Sequence, residues 1–132
     1  MEKLEYYSVV VPNKAGKGVQ VLAALKEAGV NLVAIWGYPV GKSKSRIDLV
    51  AEDPAFLKKA AKQLKIDLGK KQTAFYITGE DHLGAAAEIL AKLADKKVNV
   101  SAAQAVLAGN GRFGAVVQVD AEDVKKAAKA LA

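Results

Sequence analysis

The chain has 132 residues, no cysteine, 20 Lys and Arg against 14 Asp and Glu, and a 52% hydrophobic content in which aromatics contribute 6% of the chain. That length holds one ordinary domain or two small ones, and the composition excludes a disordered chain, a disulfide framework, a thiolate metal site and a Cys-based redox motif. No run reaches the roughly 18–20 apolar residues of a membrane span. The opening "MEKLEYYSVV" has no cationic region ahead of a long apolar stretch, so no signal peptide is expected and the expected location is cytoplasmic. The net charge of +6 permits an anionic partner. Most lysines, however, recur at helical spacing in "LKKAAKQLK" and "VKKAAKALA", the pattern of a solvated helix face.

Residues 4–11 alternate and are rich in Tyr and Val, which predicts a strand. Residues 16–28 carry Val21, Leu22, Leu25 and Ala28 at helical spacing, with Gly29 as the stop. Residues 31–39 and 45–51 read as strands joined by the turn "VGKSK". In "AEDPAFLKKAAKQL", Asp53 can cap a helix with Pro54 in its first turn, and Phe56, Leu57, Ala60, Ala61 and Leu64 form an apolar stripe. The segment "KIDL", residues 65–68, is expected to be a short closing strand.

The same order then repeats. Strand 72–78, helix 83–95, strand 98–107, the hairpin "AGNGR", strand 112–119 and helix 121–131 follow, and no closing strand is left for the second copy. An offset of 68 places Gly16 on Gly84, Leu22 on Leu90, Leu25 on Leu93, Val30 on Val98, Asn31 on Asn99 and Gly41 on Gly109 without a gap. The expected fold class is α+β: two tandem ferredoxin-like βαββαβ units, 1–68 and 69–132, with antiparallel sheets and the helices on one face.

Three motifs resemble functional signatures without meeting their structural requirements. "GNGRFG" has the letters of a dinucleotide fingerprint, but it lies between two strands, where Asn110-Gly111 reads as a hairpin turn. The loop "VPNKAGKG" is not a P-loop, because Val11 stands where the first glycine belongs and Gly18 where the hydroxyl belongs. The strand "GRFGAVVQV" has Phe113 but lacks the further aromatics of an RNA-binding strand. Tyr6, Trp36 and Tyr38 beside Lys42, Lys44 and Arg46 keep an RNA or polyanion interface as an alternative, against rings that simply pack on another sheet or chain. The single histidine, His82, has no nucleophile or ligand cluster attached to it in sequence, and the carboxylates Glu52, Asp53, Asp120, Glu122 and Asp123 read as helix-start residues. No catalytic role and no cofactor are expected.

The segment "PNKAGKGVQVLAALKEAGVNL" resembles the loop–helix–strand signature of ACT domains, and two tandem βαββαβ units carry that resemblance over nearly the whole chain. It implies a non-catalytic regulatory protein that binds a free amino acid at the loops entering the first helix of each unit. The implied contacts are Asn13, Lys14, Ala15, Gly16, Asn31 and Leu32 in the first copy, and Asp81, His82, Leu83, Gly84 and Asn99 in the second. Ala15 and Leu83 replace the proline common before that glycine. An amino acid's carboxylate suits orphan helix amides, and Asn can meet either charged end. The plainer reading makes Asn13 and Asp81 helix caps and Asn31 and Asn99 turn residues. A homodimer and a regulated enzyme partner are expected, nucleic acid and membrane are not, and a pure assembly module is the other alternative.

Overall fold

The structure, a computed structural model, describes residues 1–132. The order is β1 (Glu2–Pro12), α1 (Lys17–Glu27), β2 (Leu32–Val40), β3 (Lys44–Ala51), α2 (Pro54–Leu64), β4 (Gln72–Glu80), α3 (Ala85–Asp95), β5 (Val100–Leu107), β6 (Arg112–Val119) and α4 (Val124–Leu131). The chain divides into two compact units, Glu5–Gln72 and Thr73–Ala132 with Met1–Leu4. In the first, β3 pairs antiparallel with both β1 and β2; in the second, β6 pairs antiparallel with both β4 and β5. This is the α+β ferredoxin-like architecture expected from the element order.

Each unit has its own apolar core under its helices. Tyr7, Val9, Leu25, Ile47, Leu49 and Leu57 build the first, and Phe75, Ile89, Leu93, Ala115, Val117 and Val119 the second. Period-two alternation sends one side of each strand to the helices, as at Ile47, Leu49 and Ala51, while Arg46, Asp48 and Val50 take the opposite side. The opposite side of the first sheet carries a polar cluster. Asp48, fully buried, accepts from Ser8 Oγ, from Arg46 Nε at 2.8 Å and from Tyr38 OH at 3.2 Å. Gln72 joins it by accepting from Arg46 at 3.0 Å and donating to Ser8 at 2.9 Å.

Three helices end by the same device. After α1, Gly29 (φ 83°) donates to Lys26 and Val30 donates to Leu25. Lys97 (φ 57°) and Val98 repeat this after α3, as do Lys65 (φ 59°) and Ile66 after α2. This left-handed cap absorbs the final carbonyls of each helix. It also corrects the expectation for residues 65–68, which are not a strand. Lys65 and Ile66 are consumed by the cap, the Asp67 carboxylate accepts from Gly69 N–H at 2.9 Å, and Leu68 enters the core. The only ladder-like bond here is Ser8 N–H to the Leu68 carbonyl, at 3.3 Å. Both halves are therefore βαββα in their own elements.

The 68-residue offset extends to details that apolar patterning does not encode. Register shifts fall between Leu32 and Ala34 in β2 and between Val100 and Ala102 in β5. The halves diverge at their second helices. Asp53 caps α2 by accepting from Phe56 N–H at 3.2 Å, with Pro54 at the first position. At the equivalent place α4 is preceded by a 3-10 turn, Ala121–Asp123, with no side-chain cap. Of the carboxylates expected to serve helix starts, only Asp53 caps; Asp123 pairs with Lys126 at 3.2 Å and Glu52 accepts from Asn31. In the apolar stripe of α2, Leu57, Ala60 and Ala61 are buried, but Phe56 and Leu64 stay exposed.

Candidate functional site

The loops at residues 13–16 and 81–84 share the backbone ties that hold them to hairpin and helix. Asn13 N–H donates to the Ser43 carbonyl at 2.9 Å, and Asp81 N–H donates to the Gly111 carbonyl at 2.7 Å, so each loop is tied to the tip of its own β-hairpin. Lys17 N–H reaches the Lys14 carbonyl and Ala85 N–H the His82 carbonyl, both at 3.2 Å. Each helix is entered through a glycine at positive φ, 88° at Gly16 and 84° at Gly84, with no side chain capping the helix. That corrects the plainer sequence reading: Asn13 and Asp81 do not cap α1 or α3. The first-turn amides of both helices stay without a side-chain acceptor.

Beside each loop lies an open cleft, about 330 Å³ in the first unit and about 310 Å³ in the second. Both are at the small end for ligand sites. Six lining positions correspond at the same offset: Lys14 with His82, Gly18 with Ala86, Gly37 with Ala105, Tyr38 with Val106, Pro39 with Leu107, and Ser45 with Phe113. Each cleft is lined by strand β2 or β5 and by the start of α1 or α3. Sequence reasoning misses these strand-borne positions. The signal is present in the repeat itself, because Gly37 and Ala105 fall 68 residues apart, but nothing in one copy alone distinguishes them from ordinary strand residues.

The two loops differ in polar chemistry. Ser45 Oγ donates to Asn13 Oδ1 at 2.9 Å. In the second loop the His82 ring approaches two acceptors: the Glu80 carbonyl through Nδ1 at 3.1 Å and the Glu88 carboxylate through Nε2 at 3.1 Å. Only an imidazolium donates from both nitrogens. Accordingly the His82 pKa lies above the usual 6.5, raised first by the Glu80 carbonyl and then by Glu88. Ala15, Leu83 and Leu32 bring no polar group; Leu83 is fully exposed.

Asn31 and Asn99 stand away from these clefts. Leu32 pairs with Ala51, and Asn31 Nδ2 donates to Glu52 Oε2 at 2.9 Å. Asn13 lies beyond Lys44, at the other end of β3. The eight residues of β3 separate the two asparagines, roughly 25 Å at the usual strand rise. Val100 pairs with Val119, so Asn99 is likewise at the far end of β6 from Asp81. Within one unit, the two asparagine-bearing positions of the family pattern do not converge.

The aromatics do not present an open stacking platform. Tyr6 and Trp36 are buried against each other, with ring centroids 5.6 Å apart at 51°, and the Arg46 guanidinium lies 5.9 Å from the centre of the Tyr38 ring. "GNGRFG" forms the hairpin turn between β5 and β6, with Gly109, Asn110 and Gly111 all at positive φ. No group of three or more His, Asp or Glu stands where it could hold a metal ion, and no helix is long and apolar enough to cross a membrane.

No family model matches the chain, and no curated protein matches it. Solved structures do. A protein from Bacteroides thetaiotaomicron aligns with a TM-score of 0.81 at 21% identity, over 98% of this chain and 86% of its own. The regulatory subunit of aspartate kinase from Thermus thermophilus, in its ligand-free form, aligns at 0.63 and 16% identity over 98% and 90%. The regulatory subunit of aspartate kinase from Thermus flavus aligns at 0.65 and 18% over 99% and 91%. At these identities the likeness establishes the fold, that of tandem ACT-like units, across the whole length of the chain.

Proposed function

We propose that this protein is a non-catalytic regulatory module that binds a free amino acid in the clefts beside residues 13–16 and 81–84. The observation that carries this reading is the recurrence of both loops, their hairpin ties and their clefts at one 68-residue offset, while the side chains between them have diverged. First-turn amides suit a carboxylate, and Asn13 and Asp81 offer a donor and an acceptor to the rest of the ligand. The structural likeness to aspartate kinase regulatory subunits agrees with a regulatory role and with an enzyme as the regulated partner. The nearest chemical rival, a nucleic-acid interface, lacks an exposed aromatic face.

We further read the working form as a homodimer. Strand β2, "LVAIWGYPV", and strand β5, "VSAAQAVL", each lie at an edge of their sheet and carry no charged residue. Edges without charge or strong irregularity are the ones that pair. If Asn31 or Asn99 contacts ligand as the family pattern implies, the asparagine comes from a second copy of the chain.

Thermal unfolding with each standard amino acid at millimolar concentration tests the binding reading. A ligand at about 100 times its Kd stabilises by roughly 2.7 kcal/mol, several degrees for a domain of this size. A shift confined to one amino acid or a chemically related group supports a sensor; no shift with any of them leaves an assembly module. Sedimentation at micromolar concentration tests the dimer, and a monomer there removes it.

A further inference from the structure

We propose that the two clefts accept different ligands, and that the cleft beside Asp81 takes an amino acid with an apolar side chain. This rests on the reading of the loops as amino-acid sites. The two clefts share a backbone frame but not a lining. Where the first has Ser45, which binds Asn13, the second has Phe113; where the first has Gly18 and Gly37, the second has Ala86 and Ala105.

The Phe113 ring is fixed in place by the strand opposite. Phe113 pairs with Gly79, and a Cβ at residue 79 would come within 3.2 Å of the ring, so the ring lies directly on that glycine's backbone. Away from the loop residues Asp81 and His82, the second cleft is therefore walled by the Phe113 ring, alanine methyls and the aliphatic side chains of β5. A polar side chain laid against Phe113, Ala86 and Ala105 would give up water and find no partner on that wall, whereas an aliphatic or aromatic one would lose nothing.

The charge at its mouth fits the other end of the same ligand. The Asp81 carboxylate is exposed, and the neighbouring His82 ring has its two nitrogens turned to the Glu80 carbonyl and the Glu88 carboxylate. The Asp81 oxygens are therefore not taken up by a bond to that ring and can accept from an ammonium group. The first cleft keeps a basic residue, Lys14, at the place of His82 and adds Arg46, while its loop has the neutral Asn13 at the place of Asp81.

Titration calorimetry with leucine, valine, phenylalanine, serine and aspartate separates the possibilities, using the full chain, Ala105→Tyr and Asp81→Asn. Ala105 is exposed on an edge strand, where Tyr is well tolerated, and Asp81→Asn changes an exposed charge alone; circular dichroism verifies that both fold. The expected result is an apolar amino acid bound at one per chain, weakened at least 10-fold by Ala105→Tyr and about 10-fold by Asp81→Asn. Apolar binding that survives both substitutions overturns the assignment, as does a polar amino acid displaced by Ala105→Tyr; either leaves the amino-acid reading standing. No heat with any of the five, together with no thermal shift from the remaining standard amino acids, overturns both.

Discussion

The hydroxyl of Ser45 on β3 donates to the side-chain oxygen of Asn13 at 2.9 Å, across 32 residues of sequence. That bond accepts on Asn13 Oδ1 and leaves both protons of the amide nitrogen to donate, which suits the proposed ligand's acceptors. Ser45→Ala releases that orientation. The bond is exposed, so stability should fall by no more than about 1 kcal/mol in urea unfolding. Ligand affinity at the first cleft should fall several-fold, read by calorimetry.

Asp48 is fully buried, and its Arg46 partner is about 29% exposed in its side chain. Asp48→Ala leaves the guanidinium uncompensated and removes the acceptor of Ser8 and Tyr38 together. Breaking one side of a buried pair costs about 3–5 kcal/mol. Equilibrium urea unfolding should show that loss, whereas a change below about 1 kcal/mol would mean that the network is not what holds this sheet face.

His82 is the only histidine in the chain, so its ring gives a single titrating signal in NMR. Its folded pKa should lie above 6.5, because the Glu80 carbonyl and the Glu88 carboxylate favour the imidazolium. Raised in the folded state, it stabilises the fold fully below pH 6.5, and that contribution is lost as pH rises through the folded pKa. Glu88→Gln removes one cause and should lower the measured value. Since the ring is exposed, the effect on global stability is small, and the titration itself is the readout.

Gly16 and Gly84 hold φ near +88° and +84°, and a Cβ at either position would have no atom within 4 Å of it. The cost of Ala there is therefore conformational and not steric crowding. Gly16→Ala and Gly84→Ala should each destabilise by about 1–2 kcal/mol in thermal or urea unfolding. A neutral substitution would show that the loop adopts another entry into the helix.

Much of the fold was legible from local chemistry. Alternation at residues 4–11, the turn "VGKSK" and the hairpin "AGNGR" marked strands, and helical spacing with Asp53-Pro54 and Gly29 marked helices and their ends, because these signals depend on neighbours a few residues apart. The 68-residue offset disclosed the duplication because each copy carries its own local signals in the same register. Residues 65–68 misled because the left-handed cap is set here by Lys65, a residue that carries no turn signal.

Element order, the two-copy organisation and the paired glycine loops all followed from residue types and spacing alone. What stands beside those loops followed from strand pairing. Antiparallel pairing of β2 with β3 brings Gly37 and Tyr38 to the first cleft and carries Asn31 to the opposite end. Pairing of β5 with β6 brings Ala105 and Phe113 to the second. Register between strands is a long-range hydrogen-bonding choice, so it separates residues that a linear motif places together and joins others that no motif connects.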